Sequence, residues 1–216
     1  DLREIAAVYH GMVSRVDDQL RRVLEAVDGI GATDDTVVGF FTDHGEYLGD
    51  YGLVEKWPSA MDPSILRNPL ILAGGGLPEG LVVDRPVELI DLLPTLCDLA
   101  GTEPQHTPLG RSLPPVVDDP TLPHREFACS EGGFRASDVD LLEVSSWIYE
   151  PKSRLQHEQP ELVGTAMAIR TPTHTYVHRR YESDELYDRI ADPEETTNLI
   201  GRTADLELQH ELLTSL

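Results

Sequence analysis

The sequence predicts an α/β fold, with a mainly parallel sheet flanked by helices and then a small, mostly antiparallel sheet with a terminal helix. Three observations carry this expectation. The chain opens on a long amphipathic stretch, two short apolar runs without alternation follow, and the carboxy-terminal part holds short strand-like runs between turn residues.

Ile5, Val8, Met12, Val16, Leu20, Val23 and Val27 recur every three or four residues, which marks one face of a helix. Gly29 is the expected left-handed residue at its end. After the turn at Asp34-Asp35, the run TVVGFFT (36–42) is short, β-branched and aromatic, and PLILA (69–73) reads the same way. Such runs predict strands buried on both faces of a parallel sheet. A helix is predicted over 89–100, closed by Gly101, with Pro94 in its first turn or at a kink.

Six of the 16 prolines fall between Thr102 and Arg125, a density that disfavours helix and central strand. A boundary is placed there, giving residues 1–117 to the α/β part and 118–216 to a smaller α+β part. Within the second part, 126–130, 165–171, 175–178 and 185–188 are predicted strands, and 203–216 a terminal helix. Residues 132–164 show no readable pattern.

The charge balance is extreme, with 17 basic against 39 acidic residues and a net charge of −22. A surface this negative repels nucleic acid and anionic lipid, so neither is an expected partner. No apolar stretch approaches the roughly 18 residues of a membrane span. The longest candidate, PLILAGGGLPEGLVV, is broken by glycines, prolines and Glu79. Cys97 and Cys129 form no CxxC pair and read as plain thiols. Lys56 and Lys152 are the only lysines. High acid with arginine in place of lysine resembles proteins of salt-loving archaea. The chain starts at Asp1 and enters the amphipathic pattern at once, so a piece of a longer protein is expected. Its compartment, cytoplasmic or secreted, stays open.

The sharpest chemical feature is Asp43-His44-Gly45-Glu46, directly after the first apolar run. Ligands of open α/β sheets bind at the carboxyl ends of strands. Neighbouring side chains on a regular strand point to opposite faces, so Asp43 and His44 reach one ion only if the strand breaks there. Gly45 permits such a break. A carboxylate and a neutral imidazole suit a divalent cation. Lys56, a short loop further on, offers a compact cation with three donors for a tetrahedral oxyanion. His174 and His178 read as a solvated strand face, and Arg170 as one half of a structural ion pair.

Several motifs resemble the sulfatase family, in family order. They are YHGMVSRVDDQL (9–20), DTVV (35–38), TDHGEYLGD (42–50) with Gly52-Leu53 and Lys56, NPLI (68–71), ELIDLLPTL (88–96), GRSL (110–113), AIRTP (168–172), ELYD (185–188) and DPEETTNL (192–199). The resemblance implies an alkaline-phosphatase-like fold and hydrolysis of sulfate esters, with some members acting on phosphate or phosphonate esters. It implies one divalent metal ion that activates a formylglycine hydrate, Asp43 and His44 as the second pair of metal ligands, and Lys56 as the sulfate-binding lysine. The expected partner is a small-molecule or carbohydrate sulfate ester.

Departures are equally clear. The C/S-x-P-x-R motif that yields formylglycine is absent, as is the family's first pair of acidic ligands. The nucleophile and the amino-terminal half of the catalytic domain are therefore expected outside this chain, which alone is expected to be inactive; the alternative is a stand-alone, inactive binding module derived from a sulfatase. Calcium-type members commonly carry Asp-Asn where this chain has Asp43-His44. Calcium is the family expectation, and the imidazole leaves manganese or zinc as alternatives. At about 1 M salt the Debye length is roughly 3 Å, which screens distant acids but not direct contacts. The complete enzyme is thus expected to gain activity as salt rises; assays that peak below about 0.1 M would contradict the halophilic reading.

Overall fold

The computed structural model describes residues 1–202 and 206–215. The chain forms two compact units. The first comprises residues 1–55, 67–84 and 89–123, and the second 56–66, 85–88 and 124–216. The sequence boundary at 117/118 is a single cut, whereas here two short earlier stretches group with the later unit.

In the first unit, helix α1 (Leu2–Gly29) starts on Asp1, whose carboxylate accepts the Arg3 N–H at 3.0 Å. It ends at Gly29, where expected. Gly31, not Gly29, takes the left-handed conformation (φ 69°). The Gly31 N–H bonds Asp28 O at 2.8 Å and the Ala32 N–H bonds Val27 O at 3.1 Å, the paired bonds of a Schellman ending. Strands β1 (Val37–Phe41) and β2 (Leu70–Gly74) follow, with the short α2 (Pro63–Leu66) between them in sequence but in the second unit. A 3₁₀ turn, Leu89–Asp91, leads into α3 (Leu92–Leu99), with Pro94 inside the first turn and Gly101 left-handed behind it (φ 63°). Helix α4 (Pro114–Asp118) arises within the proline-rich stretch, where helix was not expected. Pro114 and Pro115 open it, and first-turn N–H groups have no intrahelical acceptor to lose.

Two further expectations are corrected here. β1 and β2 pair with each other antiparallel, Val37 opposite Gly74 through Phe41 opposite Leu70, rather than as neighbours in a parallel array. A continuous apolar run signals contact with other groups but carries no information about direction. Nor are these strands buried on both faces, since no residue of either is buried. Helix α1 likewise buries none of its residues, and Val8, Val16 and Val23 are all exposed.

The second unit holds a four-stranded antiparallel sheet in the order β3 (Ala128–Gly132), β4 (Ala166–Arg170), β5 (His174–Arg179), β6 (Glu185–Asp188). Helices α5 (Glu150–Glu158) and α6 (Leu206–Ser215) complete it. The predicted helix 203–216 is met by α6, while 203–205 and 216 lie outside the described residues. Alternation along β4 sends Ala166 and Ala168 to one face, where they meet Val177 and Met61. It sends Ile169 to the other, against Tyr176, Leu186 and Leu212 of α6. Register enforces this, because Ile169 lies opposite Tyr176 and Tyr176 opposite Leu186. Each such buried aliphatic side chain stabilises by about 1.5–3 kcal/mol.

Charge is admitted to this core only in partnership. Glu195, 6% exposed, accepts from Arg170 Nη2 at 2.9 and 2.8 Å and from Thr175 Oγ1 at 2.7 Å. Arg170 is thus the structural ion pair its sequence context suggested. Burial pushes the Glu195 carboxyl up and the Arg170 guanidinium down, so desolvation outweighs their mutual attraction.

On the sheet edge, Asp184 accepts from the Tyr176 hydroxyl at 2.5 Å, faces His178 Nδ1 at 3.0 Å and accepts from the Arg179 N–H at 3.1 Å. Burial pushes the Asp184 carboxyl up, but these three partners outweigh it and hold it below the usual carboxylate range. A carboxyl with a lowered native pKa stabilises the fold above its unfolded pKa, about 3.9, and loses that contribution as pH falls through the native value. Asp184→Asn should therefore lower urea midpoints at neutral pH and reduce their fall on acidification; an unchanged acid limb would contradict this.

Candidate functional site

β1 ends at Phe41, so the chain leaves the ladder just before Asp43. The predicted break is therefore present. The Asp43 carboxylate turns back on its neighbour, with Oδ1 accepting the His44 N–H at 3.0 Å. His44 Nδ1 stands 2.9 Å from Gly45 O. A carbonyl only accepts, so Nδ1 carries the proton. That leaves Nε2, which faces Asp43 Oδ2 at 3.5 Å. Neutral Nε2 and a carboxylate oxygen are both lone-pair donors, and such an approach is favourable only with a proton or a cation shared between them. Ligand atoms each about 2.1 Å from one ion can stand this far apart. Fixing Nδ1–H on a backbone carbonyl is also how metal-bound imidazoles are oriented.

Two more polar groups flank the pair. Across the strand register, Asn68 Nδ2 donates to Asp43 O at 3.2 Å. Asn68 Oδ1 and Thr42 Oγ1 are buried and have no hydrogen-bond partner. Thr42 directly precedes Asp43 and Asn68 bonds its carbonyl, so these unpartnered oxygens are groups that a bound cation with its water would satisfy. Among the described residues, no group of three His, Cys, Asp or Glu side chains is placed to hold a metal. Sequence reading did not single out Thr42 and Asn68. Their signal was positional, as polar residues at the matching ends of two paired apolar runs.

The following loop is tightly wound. Leu48 (φ 50°) and Tyr51 (φ 54°) are left-handed non-glycine residues, with Gly49 and Gly52 also at positive φ. Such conformations cost on the order of 1–3 kcal/mol each and persist only where neighbours over-determine them. Here the Gly49 N–H bonds Leu53 O at 2.7 Å, and the rings of buried Tyr47 and of Tyr51 meet edge to face at 5.8 Å. Glu46 accepts the Tyr47 N–H at 3.1 Å.

The ELIDLLPTL and GRSL motifs are joined by one polar staple. Fully buried Asp91 accepts the Arg111 N–H at 2.7 Å, and Thr95 Oγ1 donates to Asp91 O at 2.6 Å while accepting the Leu113 N–H at 3.0 Å. Gly110 lies against the same turn, where a Cβ would stand 2.0 Å from Ile90 O.

Lys56 is exposed and opens the first stretch of the second unit. The residues after it are clamped. Trp57 Nε1 and Ser59 Oγ both donate to Leu162 O, at 2.7 and 3.0 Å, and the Gly133 N–H donates to Pro58 O at 2.7 Å. The structure thus brings Asp43 and His44 together in one unit and sets the Lys56 backbone in the other.

Comparison with known proteins bears on this arrangement. Residues 2–102 match the sulfatase family model. The chain belongs to the sulfatase family. It is 31% identical over 212 residues to the multifunctional alkaline phosphatase superfamily protein PehA of Trinickia caryophylli, spanning 94% of this chain and 38% of that protein. It is 26% identical over 211 residues to an N-acetylglucosamine-6-O-sulfatase of Bacteroides thetaiotaomicron, spanning 95% and 34%. The crystal structure of a phosphonate monoester hydrolase of Agrobacterium radiobacter superposes with a TM-score of 0.79 at 29% identity, over 100% of this chain and 41% of that one. This sulfatase-family chain therefore has the alkaline-phosphatase-like fold and spans about two-fifths of the length of such relatives.

Gly110→Ala, eight residues beyond the family-matched stretch, tests the staple. Overpacking against Ile90 O should cost about 1–3 kcal/mol. Denaturant unfolding followed at α3 amides by hydrogen exchange would report it; unchanged protection there would contradict the packing.

Proposed function

We propose that this chain is part of a metal-dependent sulfuric-ester hydrolase, to which it contributes two metal ligands and a sulfate-binding lysine. The single observation that carries the reading is the approach of His44 Nε2 and Asp43 Oδ2 to 3.5 Å at the broken end of β1, inside the family-matched stretch.

Asp43 and His44 would hold one divalent cation, calcium by family and manganese or zinc by the chemistry of the imidazole. When bound, such an ion draws charge from the ester oxygens and lowers the pKa of a coordinated hydroxyl. The chain's own residues do the rest. His44 keeps its Nδ1 proton on Gly45 O, so its Nε2 lone pair stays directed at the site. The Asn68 amide fixes the backbone at Asp43. The Lys56 ammonium would neutralise the non-bridging oxygens of a sulfate monoester as negative charge builds toward the leaving oxygen.

The nucleophile and the remaining acidic ligands would come from a segment outside residues 1–216, since no C/S-x-P-x-R occurs among them. Two features support that. The relatives are more than twice as long, and no residue of α1 is buried, with Ile5, Val8, Met12, Val16 and Val23 of its apolar stripe exposed. A helix of that kind gains most of its stability from packing an apolar face. A second reading, hydrolysis of phosphonate or phosphate monoesters, is favoured by the likeness to the Agrobacterium enzyme. No helix among the described residues is long and apolar enough to cross a membrane.

The test uses the protein that contains this chain together with its missing part. Expected are one bound divalent ion, lost in Asp43→Ala, and a fall in kcat for an aryl sulfate of about 10²–10³ in Lys56→Ala. Residues 1–216 alone should show no turnover. Faster turnover of a phosphonate monoester than of the sulfate would select the second reading. Unchanged metal content in Asp43→Ala would remove both.

A further inference from the structure

A cavity of about 330 Å³ lies wholly within the second unit, and its lining includes none of Asp43, His44 and Lys56. Its apolar walls are Phe134, Ala136, Leu142, Pro160, Val163 and Tyr181. That volume is at the lower end of small-molecule pockets, which are mostly apolar and largely preformed.

The two aromatic walls are anchored to one short backbone stretch. The Phe134 N–H donates to Val163 O at 2.7 Å and Phe134 O accepts the Thr165 N–H at 3.1 Å, with a parallel bridge between Phe134 and Gly164. The Tyr181 ring lies on the other side of the same stretch. A Cβ on Gly164 would stand 2.4 Å from Tyr181 Cδ2, so only glycine lets the ring rest there. The Arg180 guanidinium sits 5.7 Å from the centroid of that ring and holds it further. Val163, 1% exposed, closes the floor. Walls fixed before a ligand arrives lose little freedom on binding.

The lining also decides the ligand's charge. Its two ionic members, Arg135 and Glu161, carry opposite signs and cancel. The chain as a whole carries −22, which disfavours an anion. Two fixed aromatic walls favour a flat ring in offset or edge contact.

We propose that this cavity binds a neutral aromatic ring, such as a phenol. The same backbone anchors the loop after Lys56, because Leu162 O accepts from both Trp57 and Ser59. The inference stands on the second unit alone, so its failure leaves the hydrolase reading untouched, and the reverse also holds.

The probe is 4-fluorophenol, followed by fluorine NMR on the 216-residue chain, with 4-fluorobenzoate as the anionic control. Expected are saturable one-to-one binding of the phenol and binding of the benzoate weaker by at least about tenfold. Ala136→Phe, at an exposed wall position, should fill the cavity and weaken the phenol by a similar factor. Absence of saturation, equal or tighter benzoate binding, or a folded Ala136→Phe that binds as before would overturn the proposal. Should that variant unfold, amide shifts of the wild-type chain decide. Changes centred on Phe134, Val163, Gly164 and Tyr181 support the site, and changes elsewhere refute it.

Discussion

The candidate metal pair depends on where one strand ends. β1 stops at Phe41, and a regular ladder continued through His44 would throw Asp43 and His44 to opposite faces. The antiparallel register with β2 sets that limit by bringing Asn68 beside Asp43, where its amide holds the carbonyl just past the last strand residue. From this one arrest the rest follows. The carboxylate folds onto the His44 N–H, the imidazole turns its Nδ1 proton to Gly45 O, and the remaining nitrogen and oxygen are driven together. A carboxylate oxygen and an imidazole nitrogen at that distance attract each other when positive charge lies between them.

The wound loop beyond serves the same end. Left-handed Leu48 and Tyr51 turn the chain sharply, so a compact closed loop follows the pair rather than a trailing coil. Strain there is held by Tyr47, the buried aromatic, and by bonds between the loop's two sides. The second unit obeys a different economy of charge. Glu195 and Arg170 are carried into a core whose desolvation opposes both, and they remain paired there.

Much of this was legible in the residues. Strands β4, β5 and β6 were readable as short runs between turn residues. Helix α1 was readable from its spacing, and so was its end at Gly29, though the left-handed residue falls two positions later. Gly29 and Gly31 are both glycines, and only the Schellman bonds to Asp28 O and Val27 O choose between them. Strand direction was not legible, since the Val37–Phe41 and Leu70–Gly74 runs look alike in either sense. The exposure of α1 was not legible either, because an apolar stripe predicts a partner without stating whether that partner lies in the same chain. At the site, Asp43, His44 and Lys56 stood out by type and position. Thr42 and Asn68 did not, since their importance is a matter of burial without a partner, which a sequence does not record.

The Leu162 carbonyl that takes both the Trp57 indole and the Ser59 hydroxyl lies 105 residues after the first of them. On a ribosome adding about 5–20 residues per second, that acceptor emerges roughly 5–20 s later. Through that interval Met61, destined for the sheet's inner face, has no Ala166 or Val177 to cover it. The contacts that seat this segment are thus completed only late in synthesis.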